Sequence, residues 1–375
     1  LIQTDVNTYK LKFEIKRKVL TKCIYGIDKD FNAVEACKFG LLLKLLEGED
    51  ESTIATFHPV LPTLDENIFY GNSLLEASDV PNNQAEDINP FDFGERKFDY
   101  IVGNPPYMKT EDIKKFTPKE HKLYPKRYKS AYKQYDKYFL FMERAFNLLK
   151  ENGAMGYIVP SKFMKVGAGK ELRKILSVHK AIKAITSFGA HQIFSDKSTY
   201  SCIVVLQNKE NDSFKYSEID SLAKWRVRDL TSFSENERNV NLMGENTWIL
   251  CSDRLQSILN HISTQSSPLG EIVGDDYIFN GIQTSANKVY IFQPESEDRQ
   301  YYYFKYNNQL FQVEKKVTKP YFKTVSGDDS LNTYRTFKPN ARVIFPYKKR
   351  NDGKLDVIKL STIQSKYPYL YNYLT

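Results

Sequence analysis

The chain is poor in the residues that staple secreted folds or build metal centres. It has four cysteines and five histidines in 375 residues. Cys23, Cys37, Cys202 and Cys251 are scattered, with neither disulfide-framework nor zinc-ligand spacing. Free, buried thiols in a reducing compartment are expected, and no metal site is. Long apolar runs are missing too. None approaches the roughly 18–20 residues needed to cross a bilayer, and mean hydropathy is −0.52. No signal-peptide pattern opens the sequence. These absences argue against a disulfide scaffold and an integral membrane protein, and a cytoplasmic location is expected. Glycine is absent before Gly26, and there is no initiator Met.

What is present suits a globular protein. A hydrophobic fraction of 41% supports real cores, and 375 residues leave room for two domains. The net charge of +8 is unevenly spread. Between Met108 and Lys137, ten basic residues (among them Lys109, Lys126, Arg127, Lys129 and Lys133) face four acids, a balance of +6. Tyr124, Tyr128, Tyr132 and Tyr135 are interleaved with them. An ordinary solvated lysine-rich surface would look similar. A basic, aromatic-rich loop beside a base pocket, however, suits phosphate contact and base stacking.

Such a pocket is suggested just upstream. The apolar run Phe98–Gly103 reads as a buried strand, and Asn104-Pro105-Pro106-Tyr107 follows it directly. Open α/β sheets place ligands at the carboxyl ends of their strands. Two prolines fix φ and remove two backbone donors, leaving a stiff turn with carbonyls free to accept. The Asn104 side chain and the Pro105 carbonyl can both accept from one exocyclic amino group, while Tyr107 offers a flat stacking surface. Taken alone, the tetrapeptide is also a good plain turn.

The tetrapeptide resembles the catalytic motif of amino-group methyltransferases, specifically the N6-adenine-specific DNA methyltransferases of the gamma motif order. The resemblance extends over most of the chain and is nearest to single-chain type IIG restriction-modification or phage-defence methylases. Ile24–Asp30 followed by an apolar helix resembles the family's second strand and acidic turn. Asn67–Leu74 resembles the segment lining the cofactor adenine. Phe188 and His191–Phe194, ahead of Tyr200–Leu206, resemble the late motif whose aromatic residue packs against the extruded base. The resemblance therefore implies Asn104, Pro105, Pro106 and Tyr107 as catalytic, and Tyr107 with Phe194 as base-stacking. It also implies Asp28, Asn72 and Ser73 as binding S-adenosylmethionine, and double-stranded DNA as partner; the basic segment beside the tetrapeptide makes Lys109, Lys126, Arg127, Lys129 and Lys133 the expected DNA contacts. The family's first Gly-rich loop has no counterpart here, so a fragment truncated at both ends is expected.

Strand signals at Cys23–Ile27, Asn67–Tyr70, Phe98–Val102, Ala154–Val159, Ala181–Phe188 and Tyr200–Leu206 alternate with helices at Phe31–Leu46, Tyr138–Lys150 and about Gly167–His179. The expected fold class is α/β: a Rossmann-like methyltransferase sheet with helices on both faces, plus a mixed α/β target-recognition region. The expected division is a catalytic domain over 1–210, a polar connecting segment over 211–262 and a recognition domain over 263–375. Within the last, Phe279–Lys288 and Arg342–Lys348 resemble the opening of a target-recognition domain. Two other readings stand beside DNA methylation: a glutamine-specific protein methyltransferase sharing the tetrapeptide, and a DNA-binding module without catalysis. A Pro-Asp…Asp/Glu-x-Lys nuclease pattern is not found in the sequence, which leaves open a nuclease part encoded outside these residues.

Overall fold

The computed structural model describes all residues except 1, 6–7, 195–199, 228–232, 241–242, 252, 275–283, 285, 323–338, 352 and 354. The chain divides into two units, Leu1–Gln265 and Ser266–Thr375. The expected turn around Asn280-Gly281 lies outside the described residues.

In the first unit, helix α1 (Phe13–Cys23) leads to strand β1 (Gly26–Asp28) and helix α2 (Phe31–Leu46). Val34, Leu41 and Leu45 turn one side of α2 toward a small core with Phe13, Leu20 and Ile68. Cys37 does not join them: Cys23 and Cys37 are exposed, and Cys202 and Cys251 are buried, which corrects the expectation of four buried thiols. Strand β2 (Ile68–Tyr70) pairs with β1 in parallel, with Asp28 opposite Tyr70.

The larger sheet comprises β3 (Phe98–Gly103), β4 (Leu149–Pro160), β5 (Ile182–Ser187), β6 (Ser201–Gln207), β7 (Ser213–Ile219) and β8 (Phe233–Asn239). Their spatial order is β8-β7-β5-β6-β4-β3. The β3–β4 and β7–β5 pairs are parallel and the others antiparallel. Between β3 and β4 run helices α3 (Thr110–Phe116), α4 (Pro118–Arg127) and α5 (Lys137–Asn147), and α6 (Lys170–Val178) precedes β5. The 211–262 stretch is no mere connection. Its strands β7 and β8 extend this sheet, and Phe214, Tyr216, Val240 and Trp248 are buried in its core. Polar residues at alternate positions had hidden those strands, because an outer strand needs only one apolar face.

Strand β3 departs from the buried strand expected. It lies at the sheet margin, and Tyr100 and Val102 are 80% and 84% exposed. Among the described residues, no backbone hydrogen bond joins the β1–β2 pair to the larger sheet. Side chains join them instead. The Tyr25 ring meets that of Phe98 at 5.8 Å, and the Arg96 guanidinium lies over both Tyr25 and Phe69.

The second unit packs Phe292, Phe304, Val313, Val317, Ile344 and Leu370 around antiparallel strands that include Tyr301–Tyr306, Gln309–Glu314, Thr318–Tyr321 and Ala341–Ile344. Its Tyr-rich end is structural. Tyr373 packs against Phe304 at 5.0 Å, and Glu314 accepts from the amides of Tyr369 and Leu370 at 3.0 Å, capping the final helix Pro368–Leu374.

Candidate active site

The tetrapeptide Asn104-Pro105-Pro106-Tyr107 leaves the carboxyl end of β3, as the sequence suggested. Its neighbours come from β4 and α5. The Tyr107 hydroxyl lies 2.9 Å from Asn104 Oδ1 and 3.0 Å from the Ile158 carbonyl oxygen. One phenolic proton serves both acceptors, so the ring is pinned while the amide is oriented. Burial, with the Cys202 thiol second, pushes the Tyr107 phenol up to about 12. It is therefore a donor at neutral pH and not a base. The Asn104 amide is exposed and the Pro105 ring buried. Oδ1 keeps a second lone pair, and the Pro105 carbonyl meets no donor among the described residues.

Phe194, in the loop after β5, comes to the same place. Its ring centroid is 6.4 Å from that of Tyr107, at 66°. Tyr138, fully buried on α5, lies 6.1 Å behind Tyr107 and donates to the Pro160 carbonyl at 3.0 Å. The amino end of α5 is tied to the turn by backbone, with the Lys137 amide donating to the Met108 carbonyl at 2.8 Å.

Asp28 stands exposed at the end of β1. Its Oδ1 accepts the Asp30 amide at 2.7 Å, and Oδ2 meets no donor among the described residues. The helix-capping task falls to Asp30, which accepts from the Asn32 and Ala33 amides. That leaves one Asp28 oxygen for a ligand hydroxyl. Asn72 follows β2 and is 4% exposed. Its Oδ1 accepts the Leu74 amide at 3.1 Å, while its Nδ2 is buried with no partner. A donor orphaned in this way costs stability unless something accepts from it. An adenine ring nitrogen would do so. The Ser73 carbonyl is held by Arg144 Nε at 3.1 Å. The residues present thus fit the nucleoside part of S-adenosylmethionine.

The basic segment is helical, and its two faces differ. Glu120, Leu123, Tyr124 and Arg127 point inward at intervals of three and four, while Lys119, Lys122 and Lys126 point outward. Tyr124, Tyr128 and Tyr135 are buried in the core and are not presented for base stacking, which corrects that expectation. Their apolar rings fill the space under α4 more favourably than water would. Arg127 is likewise committed inward. It pairs with Glu76 at 2.7 Å and with Asp79, and Arg144 pairs with the same Glu76 at 2.7 Å. Lys109, Lys126, Lys129 and Lys133 are exposed, with the Lys133 ammonium 5.2 Å over the Tyr132 ring.

Sequence reasoning missed Glu120, which it counted only as one acid among many lysines. The signal was there: Glu120 shares the helical spacing of Leu123 and Tyr124. Among the described residues no cluster of His, Cys, Asp and Glu could hold a metal.

The Eco57I restriction-modification methylase family matches residues 22–194, the span from α1 to Phe194 that contains every piece of this site. Residues 22–194 are an Eco57I restriction-modification methylase domain. The type II restriction enzyme and methyltransferase RM.Eco57I of Escherichia coli is 47% identical over 376 residues, covering all of this chain and 38% of that protein. The type II methyltransferase M.BstVI of Geobacillus stearothermophilus is 30% identical over 219 residues, 54% of this chain and 38% of its own. The chain therefore spans well under half the length of these relatives. The solved type IIG restriction endonuclease BpuSI aligns with 64% of the chain and 33% of its own, at 13% identity and a TM-score of 0.34. No helix among the described residues is long and apolar enough to cross a membrane.

Proposed function

We propose that this methylase domain transfers a methyl group to N6 of an adenine extruded from double-stranded DNA. One observation carries the reading: at the end of β3 the Asn104 amide oxygen lies 2.9 Å from the Tyr107 hydroxyl, and the Phe194 ring stands edge-on to Tyr107 at 6.4 Å. Two acceptors beside an aromatic pair suit a planar base bearing an NH2 group.

N6 cannot be reached inside the duplex, so the base must leave the stack. Tyr107 and Phe194 then pack against it. Asn104 Oδ1 and the Pro105 carbonyl accept from N6 and draw it toward tetrahedral geometry, which frees its lone pair. Asp28 would hold the ribose hydroxyls of S-adenosylmethionine, and Asn72 with the Ser73 backbone would hold its adenine. When bound, that cofactor supplies an electrophilic methyl group. No strong base is required, because N6 becomes acidic only once alkylated and then releases its proton to water. Tyr107 stays protonated throughout. The work of the site is orientation and electrostatic preorganisation.

Exposed Lys109, Lys126, Lys129 and Lys133, joined by Lys122, would meet DNA phosphates; Arg127, bound to Glu76 and Asp79, leaves that set. The similarity to a restriction enzyme and methyltransferase supports a place in a restriction-modification or phage-defence system. A nuclease part would then lie in the same polypeptide or system, outside these residues. The cytoplasm, where cellular DNA is accessible in bacteria, is the proposed location.

Single-molecule sequencing of plasmid DNA from cells expressing the full-length protein, or its Asn104→Ala variant, tests this. N6-methyladenine at one short motif, absent with the variant, is the expected result. Unmodified DNA from a folded wild type sinks the reading and turns attention to glutamine side chains as acceptors.

A further inference from the structure

Glu120 is 3% exposed and sits in the first turn of α4. Its carboxylate has three partners. Oε1 pairs with the Lys29 ammonium, Oε2 with the Lys137 ammonium at 3.4 Å, and the Tyr124 hydroxyl donates to Oε2. Burial would raise its pKa, but Lys137, then Lys29 and Tyr124, hold it below the usual carboxylate range. It is an anion at neutral pH.

The two lysines belong to different parts of the site. Lys29 directly follows Asp28, so its ammonium anchors the turn that carries the cofactor acid. Lys137 opens α5, and its own backbone amide holds the Met108 carbonyl, next to Tyr107. One carboxylate therefore ties the turn after β1 to the turn after β3. A buried ion pair is a poor choice for stability alone, because apolar packing does as well. It is a better choice for fixing geometry: Glu120 and Lys137 face each other with side chains only 4% and 10% exposed, and Lys29 joins them from a partly exposed position.

We propose that Glu120 is a positioning residue that couples the cofactor half of the site to the target-base half. Filling the Asp28 turn fixes Lys29, Glu120 then fixes the amino end of α5, and the Asn104–Tyr107 turn becomes better formed for an extruded base. By reciprocity, an extruded base tightens the cofactor's hold by the same factor. This coupling rests on the function proposed above.

The test measures coupling without turnover. Calorimetry with S-adenosylhomocysteine is run on the full chain with and without a duplex bearing 2-aminopurine at the adenine of the mapped motif. The fluorescence of that base reports its extrusion. Wild type should bind S-adenosylhomocysteine about fivefold or more tightly when the duplex is present. Glu120→Gln keeps shape and the Tyr124 bond but loses the charge, and should reduce the factor to about one. Lys29→Met guards against misfolding, since its side chain is 42% exposed, and should do the same. Either variant, folded and still coupled as wild type, overturns the proposal, as does a wild type that binds both ligands independently. A wild type that binds neither overturns the functional reading, and the coupling falls with it.

Discussion

The Tyr107 hydroxyl donates toward Asn104 Oδ1 at 2.9 Å while its ring stands edge-on to Phe194 at 6.4 Å, so a single side chain both holds the amide oxygen and meets the second aromatic ring. These tasks are separable. Tyr107→Phe keeps the ring and loses a hydrogen bond worth about 0.5–1.5 kcal/mol, so kcat should fall about threefold to tenfold with DNA KM little changed. Tyr107→Ala should damage both. Steady-state kinetics on a motif-bearing duplex decide it. Equal effects of the two changes would show that the ring contributes nothing.

Phe194 should affect extrusion more than chemistry. Base–aromatic stacking contributes about 1–3 kcal/mol per base. Phe194→Ala should therefore weaken 2-aminopurine extrusion about fivefold to a hundredfold, with Phe194→Trp restoring most of it. Unchanged fluorescence in the alanine variant would remove Phe194 from the pocket.

The outward lysines of α4 and the inward Arg127 should behave oppositely. Lys122→Gln and Lys126→Gln should each lower the slope of log affinity against log salt by about 0.9, with melting unchanged. Arg127→Gln should instead lower Tm, because it abandons Glu76 and Asp79. Salt titrations of DNA binding beside thermal melts distinguish the two classes.

Glu76 makes an acid-dependent contribution to stability. Burial opposes its charge, but Arg127 and Arg144 outweigh that and lower its pKa on folding. A carboxylate with a lowered folded-state pKa stabilises above its unfolded value, near 4.3, and loses that contribution as pH falls through the folded value. Thermal melts of wild type should drop more steeply below about pH 4.5 than those of Glu76→Gln. Parallel curves would mean that Glu76 is not charged in the fold.

Gly153 should resist substitution. A Cβ there would meet the carbonyl oxygens of Phe98, Lys150 and Asp99 at 2.9, 3.0 and 3.1 Å. All are backbone atoms where β3 meets β4, so Gly153→Ala should cost about 1–3 kcal/mol, a fall of several degrees in Tm. An unchanged melt would place the strands further apart than described.

The elements that make up the site were largely legible in sequence. Helix α2 was expected at Phe31–Leu46 and runs over those residues, because apolar spacing and the Asp30 cap agree. The apolar strands Phe98–Gly103 and Ser201–Gln207 were found to within a residue or two. What escaped was burial. Local pattern reveals which residues are apolar but not which have neighbours, so Tyr100 and Val102 looked buried while Tyr124, Tyr128 and Tyr135 looked available. Strands β7 and β8 escaped because polar residues alternate along them and β8 pairs only with β7, which alone reaches the rest of the sheet, through β5. Arg127 and Glu120 each resembled surface charge until their partners, far along the chain, were in view.

Asp28 and Asn104 stand on separate sheets that meet through side chains such as Tyr25 and Phe98. Tyr25, Arg96 and Phe98 are among the side chains that set the distance between the Asp28 turn and the Asn104 turn. A displacement of about an ångström between those turns is enough to misalign a reacting pair, so substitutions at Tyr25, Arg96 or Phe98, remote from any reacting atom, should appear as losses of rate rather than of fold.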